Sequence, residues 1–162
     1  NVRGSAFRFS GHLSSRWTAN RRNDVIYVPE FDPDKSGAIS VGIDIIEIAR
    51  IQHVLDDFGE RFLERCFTEY ERARFRNRTE ELAGRFAVKE ATSKALGTGI
   101  RGIKWREMET QVNRRGKPVL VLHGSAKARA ELLGFTDFSV SITHSRTDAM
   151  AIVVALKGTQ PE

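Results

Sequence analysis

Ser40-Val41-Gly42-Ile43-Asp44-Ile45-Ile46 (SVGIDII) is the stretch on which the reading of this chain turns. Its β-branched apolar residues predict a short buried strand. From Glu47 the period changes: Ile48, Ile51, Leu55 and Phe58 recur at spacings of 3, 4 and 3, one helix face, and Gly59 is a natural stop. One residue in the strand is out of place. Asp44 interrupts the apolar run, where an ionised carboxylate costs several kcal/mol unless it is paired, hydrogen-bonded or on a metal.

Working downstream, Thr68 and Glu71 have the spacing of a capping box and open a short helix rich in Arg and Glu. Thr79 is a second candidate cap, with Glu80 and Glu81 well placed in the first turn. The helix it opens runs to about Leu96 and stops at Gly97-Thr98-Gly99. Leu82, Phe86 and Glu90 are spaced by four on it, and Ala83, Ala87, Glu90 and Lys94 form the neighbouring stripe. Glu90 therefore sits on or beside the apolar face, a second acid in a costly place, with Lys94 one turn on and in reach of an i,i+4 pair. Met108–Asn113 and Pro118–Leu122 flank the Arg114-Arg115-Gly116-Lys117 turn as a hairpin. Ser125 caps a short helix ending at Gly134, and Phe138–Thr143 and Met150–Leu156 are two further strands. Largely sequential strands with a few helices make this an α+β chain, with a mainly antiparallel sheet packed against helices.

Upstream the texture differs. Residues 1–22 hold five Arg, four Ser and no acid, without a hydrophobic period. That composition fits a flexible tail foreign to the domain, or the remnant of an organellar transit peptide. Residues 23–38 read as a linker or arm, with Val25-Ile26-Tyr27-Val28 as a short strand. The expected organisation is an N-terminal extension over 1–38, partly flexible, and one domain over 39–162.

Composition narrows the chemistry. One cysteine, Cys66, excludes an internal disulfide framework and a zinc ribbon. No apolar run approaches the roughly 20 residues that span a bilayer. The formal charge of +5 points to an anionic partner without naming it. Aromatic residues do not interleave with basic ones as a nucleic-acid stacking platform requires, so a basic nucleic-acid module is the weak alternative. Asp44 and Glu90 together suggest a site for a hard cation, since Mg²⁺ is commonly held by one or two carboxylates and completed by water and phosphate oxygens.

Three blocks carry a family resemblance: Val41 to Ile48 (VGIDIIEI), Ala83 to Ala91 (AGRFAVKEA) and Ser93 to Ile100 (SKALGTGI). With Gly116-Lys117-Pro118 and Ser139 to His144 (SVSITH) in the same order, residues 39–156 resemble the small, single-copy phosphopantetheinyl transferases, the holo-acyl-carrier-protein synthases. The resemblance implies transfer of the 4′-phosphopantetheine arm of coenzyme A to a serine of an apo acyl carrier protein, leaving adenosine 3′,5′-bisphosphate. It implies Mg²⁺ on Asp44 and Glu90, the two acids already singled out by burial cost. Lys94 matches the family's phosphate-contacting lysine. Gly97, Gly99, Lys117, Pro118, Ser141, Thr143 and His144 match positions that contact the coenzyme. Glu90, directly or through a metal-bound water, is the implied base. Arg50 matches an arginine that docks the carrier, and Arg61 and Arg65 extend its patch.

The resemblance further implies a homotrimer with active sites between subunits, so that Asp44 and Glu90 face residues such as His144 or Lys117 of a neighbour. Two departures stand out. Ser139 replaces a histidine common in the family, and Ile46 lies where larger two-copy relatives carry a third acid. The expected compartment is the cytoplasm, or an organelle if residues 1–22 are a transit remnant. A transferase unit cut from a larger fatty-acid synthase chain is the other alternative.

Overall fold

The computed structural model describes Thr18–Ala19, Val25–Ile26 and residues 37–158. The chain divides into two units, 1–35 and 36–162. In the first, β1 (Thr18–Ala19) pairs antiparallel with β2 (Val25–Ile26). β2 is the first half of the strand expected at residues 25–28. β1 had no sequence signal. Apart from these pairs, the expected leader and linker lie outside the described residues.

The second unit begins with β3 (Ile39–Glu47), which passes directly into α1 (Ile48–Phe58) at the predicted change of period. Gly59, at φ 48°, ends α1 as expected, and α2 (Glu60–Cys66) follows it. α3 (Glu69–Phe75) opens on the predicted capping box: the Glu71 amide donates to Thr68 Oγ1 and the Thr68 amide donates to Glu71 Oε2. α4 (Thr79–Ala95), the β4–β5 hairpin (Met108–Val112 and Pro118–Leu122) and α5 (Gly124–Leu132) precede β6 (Phe135–His144) and β7 (Asp148–Lys157). Every described strand pair is antiparallel, and β3, β7 and β6 form one sheet in that order.

α4 lies across the inner face of this sheet. Its Leu82, Ala83, Ala87, Val88 and Ala91 are fully buried and belong to one core with Val140, Ala149, Ala151 and Val153 of the strands. Small residues set the closeness. A Cβ on Gly42 of β3 would fall 1.8 Å from the Ala91 carbonyl oxygen, so only glycine lets strand and helix approach this far. Gly84 does the same toward β6, where a Cβ would meet Ile142 Cγ2 at 2.8 Å. A second core joins Leu96, Ile103 and Met108 to Ala130, Leu133 and Phe135.

Three expectations need correction. The strand SVGIDII is not buried on both faces: Gly42 and Ile46 turn to α4, whereas Val41, Ile43 and Ile45 are 54%, 54% and 59% exposed. Continuous apolar sequence marks surface suited to contact, and among the described residues nothing covers these three side chains. Thr79 does not cap α4. It is the first helical residue, the cap position belongs to Arg78, and the Thr79 hydroxyl donates to Gln52 Oε1 of α1 at 2.6 Å. Ser125 likewise falls inside α5, behind His123 in the cap position.

Candidate functional site

Asp44 sits at the middle of β3, on the face that Gly42 presses against α4. Its side chain is 16% exposed, and its Oδ1 accepts from Lys94 Nζ at 2.8 Å. The same ammonium donates to the Ile43 carbonyl at 2.9 Å. The i,i+4 pair expected between Lys94 and Glu90 is thus replaced by a bridge from α4 to β3, because the close approach at Gly42 brings Asp44 nearer than the next helical turn. Glu90 is half-buried beside them. Burial, then the negative charge of Asp44, raises its carboxyl above the ordinary value, while Lys94 and Arg50 pull it down. Two carboxylates and two cations therefore meet where α1, β3 and α4 converge.

The donor set suits a hard divalent cation. Two mutually repelling carboxylates lose their conflict when such an ion lies between them. Among the described residues no group of three or more His, Cys, Asp and Glu that could hold a metal forms. Ile46 offers no donor, and its side chain is buried in the core.

The remaining predicted residues gather elsewhere. Gly116, Pro118 and His144 line a cleft of about 370 Å³ together with Arg74, Arg78 and Arg85. This cleft lies at the β6 edge of the sheet, whereas Asp44 lies on β3, the opposite edge, and the two share no lining residue. Ser141 and Thr143 are exposed and pair in register with Ile152 and Met150, which in turn face Ile43 and Ile45. They belong to the outer, apolar side of the sheet. Lys117 is exposed at the hairpin tip, where the Asn113 side chain accepts from the Arg115 and Lys117 amides, and Gly116 holds a φ of 82°. Gly97 and Gly99 are exposed past the end of α4 with φ of 70° and 56°, and the Gly99 amide donates to the Ser93 carbonyl. One chain therefore unites Asp44, Glu90 and Lys94, and separately Gly116, Pro118 and His144, but does not unite the two sets.

The arginines of the cleft were missed from sequence. Arg85 carried a signal: it interrupts the buried stretch Leu82–Val88 much as Asp44 interrupts β3. Its side chain is 4% exposed, held by Glu81 Oε2 at 2.6 Å, with its guanidinium 3.3 Å from the centre of the Phe75 ring. Arg74 and Arg78 lay in a run of surface charge and carried none.

A second groove, about 390 Å³, opens between α1, α2 and α4. Val54, Phe58, Phe62, Phe86 and Trp105 line it and Arg61 and Arg65 flank it. The Phe86 and Trp105 rings stack at 4.7 Å. Arg50 is exposed on α1, beside Glu90 rather than in the groove.

Comparison with known proteins bears on the whole second unit. Residues 40–152 match the sequence profile of the 4′-phosphopantetheinyl transferase superfamily. The chain is 45% identical over 122 residues to the holo-[acyl-carrier-protein] synthase of Herpetosiphon aurantiacus, covering 71% of this chain and 96% of that one. It is 50% identical over 119 residues to the corresponding synthase of Nitratidesulfovibrio vulgaris, with 72% and 96% covered. The match spans nearly all of these relatives, so the unit stands there as a protein in its own right. In structure the chain is similar to the Helicobacter pylori holo-[acyl-carrier-protein] synthase in complex with coenzyme A, with a TM-score of 0.66, 33% identity, and 71% and 98% of the two chains covered.

Proposed function

The chain belongs to the 4′-phosphopantetheinyl transferase superfamily as a holo-[acyl-carrier-protein] synthase, and from that premise we propose how its residues divide the work. The reaction moves the 4′-phosphopantetheine arm of coenzyme A to a serine of apo acyl carrier protein. The serine oxygen bonds to the phosphorus that bears the arm, the pyrophosphate P–O bond breaks, and adenosine 3′,5′-bisphosphate leaves.

Asp44 and Glu90 would hold Mg²⁺. Such an ion would supply positive charge to offset the charge that builds on the transferring phosphoryl oxygens. Lys94, anchored by the Ile43 carbonyl and Asp44, presents its remaining N–H to a phosphate oxygen and fixes the group in line. Glu90 accepts the serine proton, directly or through a water. The exposed backbone at Gly97 and Gly99 admits the coenzyme closely.

The separation of the two residue sets is the observation that carries the assembly. The cleft of Arg74, Arg78, Arg85, Gly116, Pro118 and His144 has the charge to take the nucleotide phosphates. It lies at the far edge of the sheet from Asp44. Between the two edges the outer face exposes Ile39, Val41, Ile43 and Ile45 at 54–59%, and Met150, Ile152 and Leu156 at 37–38%. Such a face is an association surface. Docked as a homotrimer, one copy's β3 edge meets a neighbour's cleft, and Ser141, Thr143, Lys117 and His144 reach the coenzyme from the second subunit.

Acyl carrier proteins are acidic; Arg61 and Arg65 flank the apolar groove, and Arg50 lies on α1 beside Glu90. The groove takes a carrier helix and the arginines steer it, so the association rate falls with salt. Both substrates are water-soluble and we assign the reaction to the cytoplasm. Among the described residues no helix is long and apolar enough to cross a membrane. The test is direct. Incubated with apo carrier and coenzyme A, the protein adds one phosphopantetheine by intact mass when Mg²⁺ is present and none after chelation. Modification that persists in excess chelator would remove the metal from the reading.

A further inference from the structure

Lys89 immediately precedes Glu90 on α4, and its side chain is wholly buried, as is that of Glu71 on α3. Lys89 Nζ donates to Glu71 Oε2 at 2.8 Å and to the Met108 carbonyl at 2.6 Å. Glu71 Oε2 also accepts from the Thr68 amide at 2.9 Å, and Oε1 accepts from the Thr110 amide at 3.0 Å. The Phe67 ring centre lies 5.5 Å from the ammonium. One sealed pair thus ties α4 to the start of α3 and to β4.

Stability alone is a poor account of such a pair. Well-packed apolar residues in its place are often neutral or stabilising, because the desolvation of two charges offsets their attraction. Hydrogen bonds of fixed length supply direction instead. Toward the sheet α4 presents Ala83, Ala87, Ala91 and Ala95, a smooth face, and its side-chain hydrogen bonds with β3, from Lys94 to Asp44 and the Ile43 carbonyl and from Ser40 Oγ to the Ala95 carbonyl, all lie in its last turn. Successive helical residues point about 100° apart. The roll that brings Lys89 to Glu71 and Met108 therefore decides where Glu90 points.

We propose that Glu71 and Lys89 are positioning residues for the transfer reaction: their buried pair sets the roll of α4 so that the Glu90 carboxylate faces Asp44. This rests on the reading of Asp44 and Glu90 as the metal-holding pair. Neither Glu71 nor Lys89 touches a substrate. Their effect passes through the direction of their neighbour, and it must show in the geometry of the carboxylate pair as well as in turnover.

Two variants test this. Glu71→Gln with Lys89→Met removes both charges together, so no unpaired buried charge remains. Glu71→Gln alone changes only a residue of α3. Each is measured for melting temperature, for Mn²⁺ binding by the electron-spin signal of the free ion, and for kcat and KM at saturating Mg²⁺. A variant that melts within a few degrees of wild type, yet binds Mn²⁺ at least fivefold more weakly and loses at least tenfold in kcat with KM for the carrier unchanged, supports positioning. Wild-type Mn²⁺ binding and kcat in a folded variant overturn it. Loss of the folded state in both variants also overturns it, by making the pair a requirement of the fold. Failure of the transferase reading looks different: wild-type protein itself would leave the carrier unmodified.

Discussion

α4 carries two charge clusters built on adjacent residues, and they are opposites. Lys89 and Glu71 are sealed side by side, hydrogen-bonded to each other and to backbone at Met108, Thr68 and Thr110, with no solvent exposure. Glu90 is half-buried beside a like charge, and its carboxyl stands above the ordinary value because of burial and Asp44. The first cluster is at rest and the second is not. Charges that hold a fold are satisfied within the chain. On the proposed reading, the charges that do chemistry are left in a conflict that a cation and a phosphate would resolve. The same division runs through the sheet: its inner face is a closed core, whereas its outer face exposes Val41, Ile43 and Ile45, the surface proposed to meet a neighbour.

The sharpest way to break this contrast is Asp44→Ala. It removes one member of the unsettled cluster and leaves the core alone, so transfer falls about a thousandfold while the melting temperature holds. Near-normal turnover in initial-rate assays would erase the distinction. Lys94→Met keeps the aliphatic stem and deletes the charge that orients phosphate. Its kcat falls about a hundredfold, and an unchanged kcat would return Lys94 to a plain salt bridge. Gly42→Ala attacks the contact that brings the clusters' strand and helix together. With a Cβ 1.8 Å from the Ala91 oxygen, β3 must move, costing about 3 kcal/mol in chemical denaturation and some of the activity. Wild-type stability there would show that the close approach is not needed.

Glu90→Gln tests the conflict itself. The folded carboxyl binds its proton more tightly than the unfolded one, so the fold is favoured below the ordinary carboxylate range and loses that advantage as pH rises through it. Without divalent cation, the Gln variant therefore melts above wild type at neutral pH, and the two converge toward about pH 4. Equal melting at neutral pH would mean the site carries no strain. The smallest effect concerns Cys66, beside the settled cluster. Burial pushes its thiol up to about 11, so iodoacetamide leaves it unmodified in the native protein at about pH 8 and alkylates it in guanidinium. Rapid native alkylation would show that this region opens.

The sequence made the unsettled cluster visible because Asp44 and Glu90 break apolar patterns, and such breaks are costly. It also conveyed the Thr68–Glu71 capping box and the Gly59 stop, but not the α2 helix, and it began β6 and β7 three and two residues late. The settled cluster stayed hidden. Glu71 is already explained by its capping role, and Lys89 stands 18 positions away between Val88 and Glu90, so nothing local joins the two. The one-sided burial of β3 was equally illegible, since Val41, Ile43 and Ile45 read the same whether they are covered by this chain or by another copy. Thr79 and Ser125 have cap chemistry but lie one or two residues inside their helices, where backbone geometry rather than residue type decides.

The claim that the reaction site is shared between copies is tested most directly by mixing two inactive subunits. One carries Asp44→Ala, and the other carries Lys117→Ala with His144→Ala. Exchanged in equal amounts, with mixed oligomers verified by native mass spectrometry, they pair an intact β3 edge with an intact cleft at about a quarter of interfaces. The account predicts that transfer returns to about that fraction of wild type. Mixed oligomers no more active than their inert parents would contradict it.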